Sequence, residues 1–382
     1  MSIPEPAPPP FPETAGDASR LRVAIFSDSL PERNGAGAYY HDLSEQLRQR
    51  TGGLELFQPA PKKRMLKYAL PLPGDRTQKL ITPNIPRLWN QFNRLQPHLV
   101  IAVTPGPFGL LGLYLARRNQ TGFITAFHTH FEGLVKMYGD TPFFRVAFWY
   151  LKQVNRILCR RSQTVLINND DLAATVTQLG APKVDIMGTP VTLNFLKAPQ
   201  APAPAGLKRV LFAGRLAPEK NLSVILEAAR SLPDLEFVMV GDGPLRREME
   251  KAAASLPNLR LTGWLDRQAL RGEVDAASLL LLPSHMETFG TVALEAMARG
   301  RPALVSENAG IHQWTLLKEA LILLRKEDSI ADILQDLRQR PPGFWQRTAE
   351  AARTAAETLN RQTIEQWEGF IRQYARTGNE KG

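Results

Sequence analysis

Short apolar, β-prone runs alternate with helix-spaced stretches along this chain, and the alternation comes in two series separated by a proline-rich break. The first series opens with Arg22-Val23-Ala24-Ile25-Phe26, and residues 38–48 follow with apolar positions at helical spacing. Runs over 99–103, 121–127 and 164–167 continue it, each divided from the next by enough chain to hold a helix. In residues 198–206, Pro199, Pro202 and Pro204 stand among alanines, a composition that suits a linker better than any packed element. The rhythm then restarts over 209–213, 235–240, 259–261, 279–282 and 303–305. Strands that alternate with helices build parallel sheets covered on both faces. The expected fold class is therefore α/β, with two doubly wound parallel-sheet domains and a ligand cleft between the carboxyl ends of the sheets.

The expected boundaries are a flexible Pro-rich tail over 1–20, a first domain over 21–197, a linker over 198–207 and a second domain over 208–360. A C-terminal helix over 361–382 is expected to pack back on the first domain. Its amphipathic spacing is readable over 354–376, with Leu359, Ile364, Trp367 and Phe370 as apolar positions.

Composition removes several classes of protein. A chain of 382 residues has room for two domains, and a single cysteine, Cys159, excludes an internal disulfide, a four-cysteine zinc site and dithiol chemistry. That cysteine usage fits a reducing cytoplasm. The tail carries Pro4, Pro6, Pro8, Pro9, Pro10 and Pro12 without an apolar core, so it is not read as a secretory signal. Residues 99–116 are uncharged, yet Pro105-Gly106-Pro107 divides them into a strand and a helix start, so they are read as core. The net charge of +10 is uneven: residues 1–200 hold 23 Lys and Arg against 14 Asp and Glu, whereas residues 201–382 hold 24 against 23. A basic first half suits an anionic partner such as a lipid headgroup layer, a nucleic acid or a phosphorylated acceptor.

Three segments of the second half carry chemistry. Residues 283–300 follow an apolar strand and contain Glu287 and Glu295 with seven residues between them, so both carboxylates can face one pocket at a helix start. Backbone N–H groups near Phe289, Gly290 and Thr291 would point at an anion there. Residues 213–221 place Arg215 and Lys220 on one Gly/Pro-containing turn, where a guanidinium fork and a point charge can converge on a diphosphate. Val240-Gly241-Asp242-Gly243-Pro244 adds a strand-end glycine turn that lets a ligand or a neighbouring backbone approach closely. Taken singly, each has a plain alternative: a solvated helix face, surface cations, an ordinary turn.

Taken together and in order, they resemble the second domain of a family 4 glycosyltransferase, through a strand followed by G-R-x-x-x-E-K-N, a strand followed by G-x-G-P, and P-S-x-x-E-T-F-G-x-x-x-L-E-A-M-A-x-G. The resemblance extends over most of 21–376. In the first half it rests on Asn34-Gly35-Ala36-Gly37, Leu72-Pro73-Gly74, Thr104-Pro105-Gly106-Pro107-Phe108-Gly109 and Phe127-His128-Thr129-His130-Phe131. This set is similar to the branch of mannosyl-, glucosyl- and sulfoquinovosyltransferases that act on membrane lipids. The resemblance implies the GT-B fold, two Rossmann-like domains facing across a cleft. It implies that Arg215 and Lys220 hold a donor diphosphate, that Glu295 meets the ribose, and that Glu287 with Thr288, Phe289 and Gly290 contacts the donor sugar and phosphates. Gly35 and Gly37 would form a loop closing over the phosphate, with Gly241 grouped with the donor residues. His128 and Glu287 would stand at the reacting sugar, and His130 at the acceptor or a secondary position. Two segments depart from the family pattern: residues 187–192, where a glycine-valine-aspartate turn is usual, and residues 307–312, where a double-glycine loop precedes an acidic residue.

The implied activity is a retaining hexosyl transfer from a nucleotide sugar, of UDP or GDP type, to an acceptor hydroxyl. No cofactor and no metal are expected: Asp-x-Asp does not occur in the chain, and Arg215, Lys220 and a helix N-terminus are left to neutralise the leaving group. Residues 62–68 and 143–152 mix basic and apolar side chains, which suits an anionic bilayer surface and hence a glycolipid or phospholipid acceptor at the cytoplasmic membrane face. A soluble sugar or metabolite is the alternative acceptor. A dinucleotide oxidoreductase is the alternative of another class, since Gly35-Ala36-Gly37 follows the first strand and Glu55 lies twenty positions beyond Gly35. It fails because Gly35 lies eight positions after Ser27 and Tyr40 fills the place of the third glycine. A non-catalytic sugar-nucleotide binder remains, motivated by the two departures. A nucleic-acid partner would explain the charge and none of the clustered motifs.

Overall fold

A computed structural model describes residues 18–29, 35–59, 70–72, 75–80, 82–128 and 142–376. Its first parallel sheet is built from β1 (Arg22–Phe26), β2 (Gly53–Phe57), β5 (Leu99–Ala102), β6 (Gly122–Phe127), β7 (Val165–Ile167) and β8 (Val184–Ile186), in the order β2-β1-β5-β6-β7-β8. A separate antiparallel pair, β3 (Leu70–Leu72) and β4 (Asp75–Leu80), lies outside that sheet. The second sheet holds β9 (Arg209–Ala213), β10 (Glu236–Val240), β11 (Leu259–Gly263), β12 (Leu279–Leu282), β13 (Ala303–Ser306) and β14 (Leu321–Leu324), in the order β11-β10-β9-β12-β13-β14. Every pairing within both six-stranded sheets is parallel. The expected α/β class and the GT-B arrangement of two Rossmann-like sheets are what the chain adopts.

Crossover helices cover both faces. In the first domain these are α1 (Gly35–Leu47), α2 (Ile85–Leu95), α3 (Pro107–Arg118), α4 (Pro142–Arg161) and α5 (Ala173–Gln178). The period-two alternation of a strand sorts its side chains. Val23 and Ile25 join Tyr40 and Leu43 of α1, while Ala24 and Phe26 join Phe92, Phe108 and Leu113 on the opposite face. Asp28, just past β1, accepts from the backbone N–H of Phe108 at 2.9 Å and from the Thr104 hydroxyl at 2.7 Å, so a side chain already occupies the N-terminus of α3. A Cβ on Gly106 would lie 2.4 Å from that carboxyl, which accounts for the glycine in the Pro-Gly-Pro turn.

The second domain adds α6 (Leu193–Lys197), α7 (Ser223–Ser231), α8 (Arg246–Ala253), α9 (Arg267–Ala276), α10 (Thr291–Ala298), α11 (Thr315–Lys318) and α12 (Ile330–Arg338), and the chain ends in α13 (Pro342–Tyr374). The expected C-terminal helix is thus the second half of one helix of 33 residues. Ala352, Ala356 and Leu359 belong to the second-domain core, whereas Ile364, Trp367, Phe370 and Ile371 belong to the first.

The crossing point differs from the linker expected over 198–207. Met187 lies in the first core and Val191 and Phe195 lie in the second, so the chain changes domain at residues 188–190. A Cβ on Gly188 would sit 2.1 Å from Thr363 Oγ1, so any side chain there would force Thr363 of α13 to shift. The proline-rich stretch is instead strapped to the second domain. Buried Arg299 pairs with Asp275 at 2.7 Å and donates to the carbonyls of Phe195, Ala198 and Pro199, while Arg301 donates to that of Pro202. The alanines and prolines carry no side-chain signal of this, because the strap is made through their carbonyls. Arg299→Leu is expected to cost about 3 kcal/mol or more, since Asp275 and three carbonyls lose their donor. In a thermal melt this reads as a fall of roughly 10 °C, and an unchanged melting temperature would show that the strap contributes nothing.

Candidate active site

In both sheets the strand order reverses next to the first strand, and ligands of open α/β sheets bind outside the carboxyl ends of strands at such a point. In the second domain the two strands at the switch are β9 and β12. The loop after β9 carries Arg215 and a single turn at Pro218–Lys220, and the loop after β12 leads through Glu287 to α10. Glu219, buried beneath them, ties the loops together: its carbonyl accepts from the N–H of His285 at 2.9 Å, and its carboxylate holds Arg215 Nη1 at 3.3 Å. Lys220 Nζ forms an ion pair with Glu287 Oε2. The two cations of the G-R-x-x-x-E-K-N segment are therefore each oriented by a glutamate.

Gly290 precedes α10 with φ +104°, and a Cβ on it would meet Leu282 Cδ2 at 2.8 Å. That left-handed residue lets the helix start beside the strand end, where first-turn N–H groups lack intrahelical acceptors and can receive an anion. Residues 287–289 are braced from behind: Gly310 N–H donates to the Glu287 carbonyl and Ile311 N–H to the Phe289 carbonyl, both at 2.9 Å. The divergent segment 307–312 thus acts as a backbone partner of the Glu287 segment. Phe289 is buried against Trp314, and the Thr288 carbonyl accepts from Asn169 Nδ2 at 3.2 Å, a contact from the loop after β7 of the other domain. Gly241 serves packing, since with φ +141° its Cβ position would lie 1.8 Å from the Gly214 carbonyl oxygen. It lets the loop after β10 close on the Arg215 loop, and this close approach is to backbone.

On the first-domain side, His128 directly follows β6. Its Nε2 lies 2.7 Å from the Tyr40 hydroxyl, and the rings of Tyr39 and Tyr40 stand edge-on to it. Burial lowers its pKa to about 3, so the imidazole is neutral at physiological pH. Trp367 of α13 packs on both tyrosines and donates to the Tyr39 hydroxyl at 3.0 Å, so the shared helix fixes the support of His128. Gly35 and Gly37, expected in a loop, form the first turn of α1. His130 lies outside the described residues, as do residues 62–68.

A buried polar relay missed in the sequence joins the domains. Asp42 of α1 pairs with Arg267 of α9 at 2.7 Å. Thr192 Oγ1 lies 2.9 Å from Asp42 Oδ2 and 2.8 Å from Glu295 Oε1, and it accepts from Arg267 Nη1. The segment 187–192 that departs from the family turn thus contributes a hydroxyl to the wall beside Glu295. Burial pushes the Glu295 carboxyl up to about 7, with the Asp42 charge adding to the rise while Arg267 and Thr192 oppose it. His41 and Glu45 stand beside Asp42 on α1, with ligand atoms of all three within 4.8 Å of one another, and both Asp42 oxygens are also bonded to Arg267 and Thr192. No local signal marks Asp42 or Arg267: they meet across 225 residues of sequence.

Residues 33–195 match the family model described as Glycosyltransferase Family 4, and residues 196–352 match that described as Glycosyl transferases group 1. The chain belongs to glycosyltransferase family 4. A 2-deoxystreptamine N-acetyl-D-glucosaminyltransferase of Niallia circulans is 41% identical over 112 residues, which cover 28% of this chain and 29% of that protein. A GDP-mannose-dependent α-(1-6)-phosphatidylinositol dimannoside mannosyltransferase of Mycobacterium tuberculosis is 32% identical over 145 residues, covering 37% of this chain and 38% of that protein. Both alignments span less than half of the relative. The fold as a whole is similar to that of sucrose-phosphate synthase from Thermosynechococcus elongatus, with a TM-score of 0.70, 18% identity and coverage of 93% of this chain and 99% of that one.

For this family 4 member, the relay makes stability depend on pH. Glu295 binds its proton more tightly folded than unfolded, so the stability it supports is present at acid pH and is lost as pH rises from the ordinary 4.5 to about 7. Glu295→Gln keeps the neutral shape without that loss. The variant is expected to match the parent below pH 4.5 and to exceed it above pH 7 by up to about 3 kcal/mol. Melting curves from pH 4 to pH 9 check this, and parallel curves would refute it.

Proposed function

We propose that this chain transfers a hexosyl group from a nucleotide sugar to an acceptor hydroxyl with retention of anomeric configuration, using side-chain cations in place of a metal ion. The observation that carries this reading is the ledge at the ends of β9 and β12, where Arg215, the Lys220–Glu287 pair and the start of α10 stand together beside Glu295. A departing nucleoside diphosphate gathers negative charge, and cations held in place by glutamates stabilise it without reorganising as the bond breaks. The Glu295 carboxyl is the ribose partner in this reading, and Thr288, Phe289 and Gly290 line the sugar side.

Chemistry follows from the same arrangement. The bond from the anomeric carbon to the phosphate oxygen breaks, the acceptor oxygen bonds on the same face, and its proton passes to that phosphate oxygen. His128 is a positioning group and not the base, because its pKa is near 3 and its Nε2 faces the Tyr40 hydroxyl. With Nε2 accepting from Tyr40, Nδ1 carries the proton and can donate to a sugar hydroxyl.

The acceptor in this reading is the headgroup of a membrane glycolipid or phospholipid, reached at the cytoplasmic membrane face. Support comes from α4, which packs Val154 and Leu158 into the first-domain core and turns Val146 and Trp149 to solvent, 66% and 63% exposed, among exposed Arg145, Lys152 and Arg160. Apolar side chains among basic ones favour an anionic bilayer surface. Among the described residues no helix is long and apolar enough to cross a membrane. A small-molecule acceptor is the second reading, favoured by the local likeness to the 2-deoxystreptamine enzyme.

The test offers UDP-glucose or GDP-mannose with vesicles carrying phosphatidylinositol or a glycolipid, in the presence of EDTA. A product of retained configuration is expected, and Lys220→Ala is expected to lower kcat by about 100- to 1,000-fold. An inverted product, or a full EDTA block, would overturn the mechanism. Val146→Ser with Trp149→Ser is expected to abolish flotation with phosphatidylglycerol vesicles at low salt. If the parent chain does not float, the lipid acceptor falls and the small-molecule reading takes its place.

A further inference from the structure

Three groups meet at the Thr192 hydroxyl: Asp42 Oδ2 at 2.9 Å, Glu295 Oε1 at 2.8 Å and Arg267 Nη1. A hydroxyl owns one proton and two acceptor sites. Arg267 can only donate, so it takes one acceptor site. Two carboxylates remain, and Thr192 has a proton for only one of them. Arg267 Nη1 also reaches Asp42 Oδ1 at 2.7 Å, which makes Asp42 the ionised partner and the recipient of the Thr192 proton. The contact with Glu295 then needs a proton of its own, carried on Oε1 and donated to Thr192. Glu295 forms no ion pair among the described residues, in keeping with a neutral acid. The charged and titratable groups around it are Arg267 from α9 and Asp42 from α1, with His41 and Glu45 beside Asp42. Burial of the carboxyl acts in the same direction as the proton count.

We propose that Glu295 is a protonated acid in the donor-free protein and releases that proton to solvent when a nucleotide sugar binds, with Asp42, Thr192 and Arg267 as the positioning residues that hold it neutral beforehand. This rests on the reading that Glu295 meets the ribose. A ribose diol brings two hydroxyl donors, and bonds donated to both oxygens of one carboxyl favour its ionised form, because each oxygen of a carboxylate is a stronger acceptor than the hydroxyl oxygen of the neutral acid. The Oε1–Thr192 bond gives way, the O–H bond of Glu295 is the only covalent bond broken, and the ribose hydroxyls replace the proton as donors. Donor affinity is therefore linked to pH through one group.

Isothermal titration calorimetry of the full chain with UDP-glucose and with GDP-mannose tests this at pH 6.0, 7.0 and 8.5, in two buffers of different ionisation enthalpy. The diphosphates of these donors carry no group that titrates near neutrality. Close to one proton released per donor bound is expected at pH 6.0, falling towards none at pH 8.5, with affinity rising about tenfold per pH unit at the acid end. Glu295→Gln is expected to bind with the same affinity at all three pH values and to release nothing. Asp42→Asn removes the neighbouring negative charge and leaves Arg267 to Glu295, so the release should move to lower pH by about a unit or more. A purely structural Asp42 would lower affinity equally at every pH. Donor binding without proton release, or release that persists in Glu295→Gln, overturns this inference and leaves the nucleotide-sugar reading standing. If neither donor binds at any pH, that reading falls and takes the inference with it.

Discussion

One helix belongs to two hydrophobic cores, and the geometry of the site depends on it. The small residues Ala352 and Ala356 of α13 let it lie close against the second sheet's cover, and eleven residues further on Trp367 is buried in the first domain. A helix rises about 1.5 Å per residue, so α13 ties the two cores together across roughly 17 Å. Trp367 then reaches the site itself, since it packs on Tyr39 and Tyr40 and so on the support of His128. The carboxyl ends of the two sheets are held towards each other by the same packing that stabilises each domain.

On that frame, the proposed donor site presents its cations already paired with carboxylates. Lys220 and Arg215 each have a glutamate partner, and Glu219 also bridges the two loops through its carbonyl. The pairing gives up some of the positive field that two unpaired cations would offer. In exchange the cations are fixed before any ligand arrives, and preorganisation is what makes such groups effective in a low-dielectric cleft. The helix start at Gly290 adds partial positive charge with no side chain to order.

The architecture was legible because its signals are local. Short apolar runs such as residues 279–282, followed by proline or glycine, announce buried parallel strands, and the order of G-R-x-x-x-E-K-N and E-x-x-x-x-x-x-x-E identifies the two loops at the switch point. Gly241 was legible as a close approach but not as to what approaches, since a missing Cβ serves a ligand and a backbone carbonyl equally well. The proline-rich stretch misled for a related reason. Proline and alanine mark the absence of a packed side chain, yet the true crossing at Gly188 is marked only by the need to pass Thr363, a residue 175 positions away. Asp42, Thr192 and Arg267 carried no pattern, because a three-way contact between distant elements has no period or spacing to read.

The relay also shows what the divergent turn contributes beside Glu295. An aspartate in the place of Thr192 would set a third carboxylate beside Asp42 and Glu295, with Arg267 as the one cation paired in the cluster among the described residues. A hydroxyl in that place both donates and accepts, so it reconciles an ionised Asp42 with a neutral Glu295 in one buried cluster. Burying the Asp42–Arg267 pair is not by itself a gain in stability, because desolvation offsets much of its attraction. What the pair supplies is a fixed charge pattern around Glu295, and the segment 187–192 is where this chain has written that pattern differently from its family.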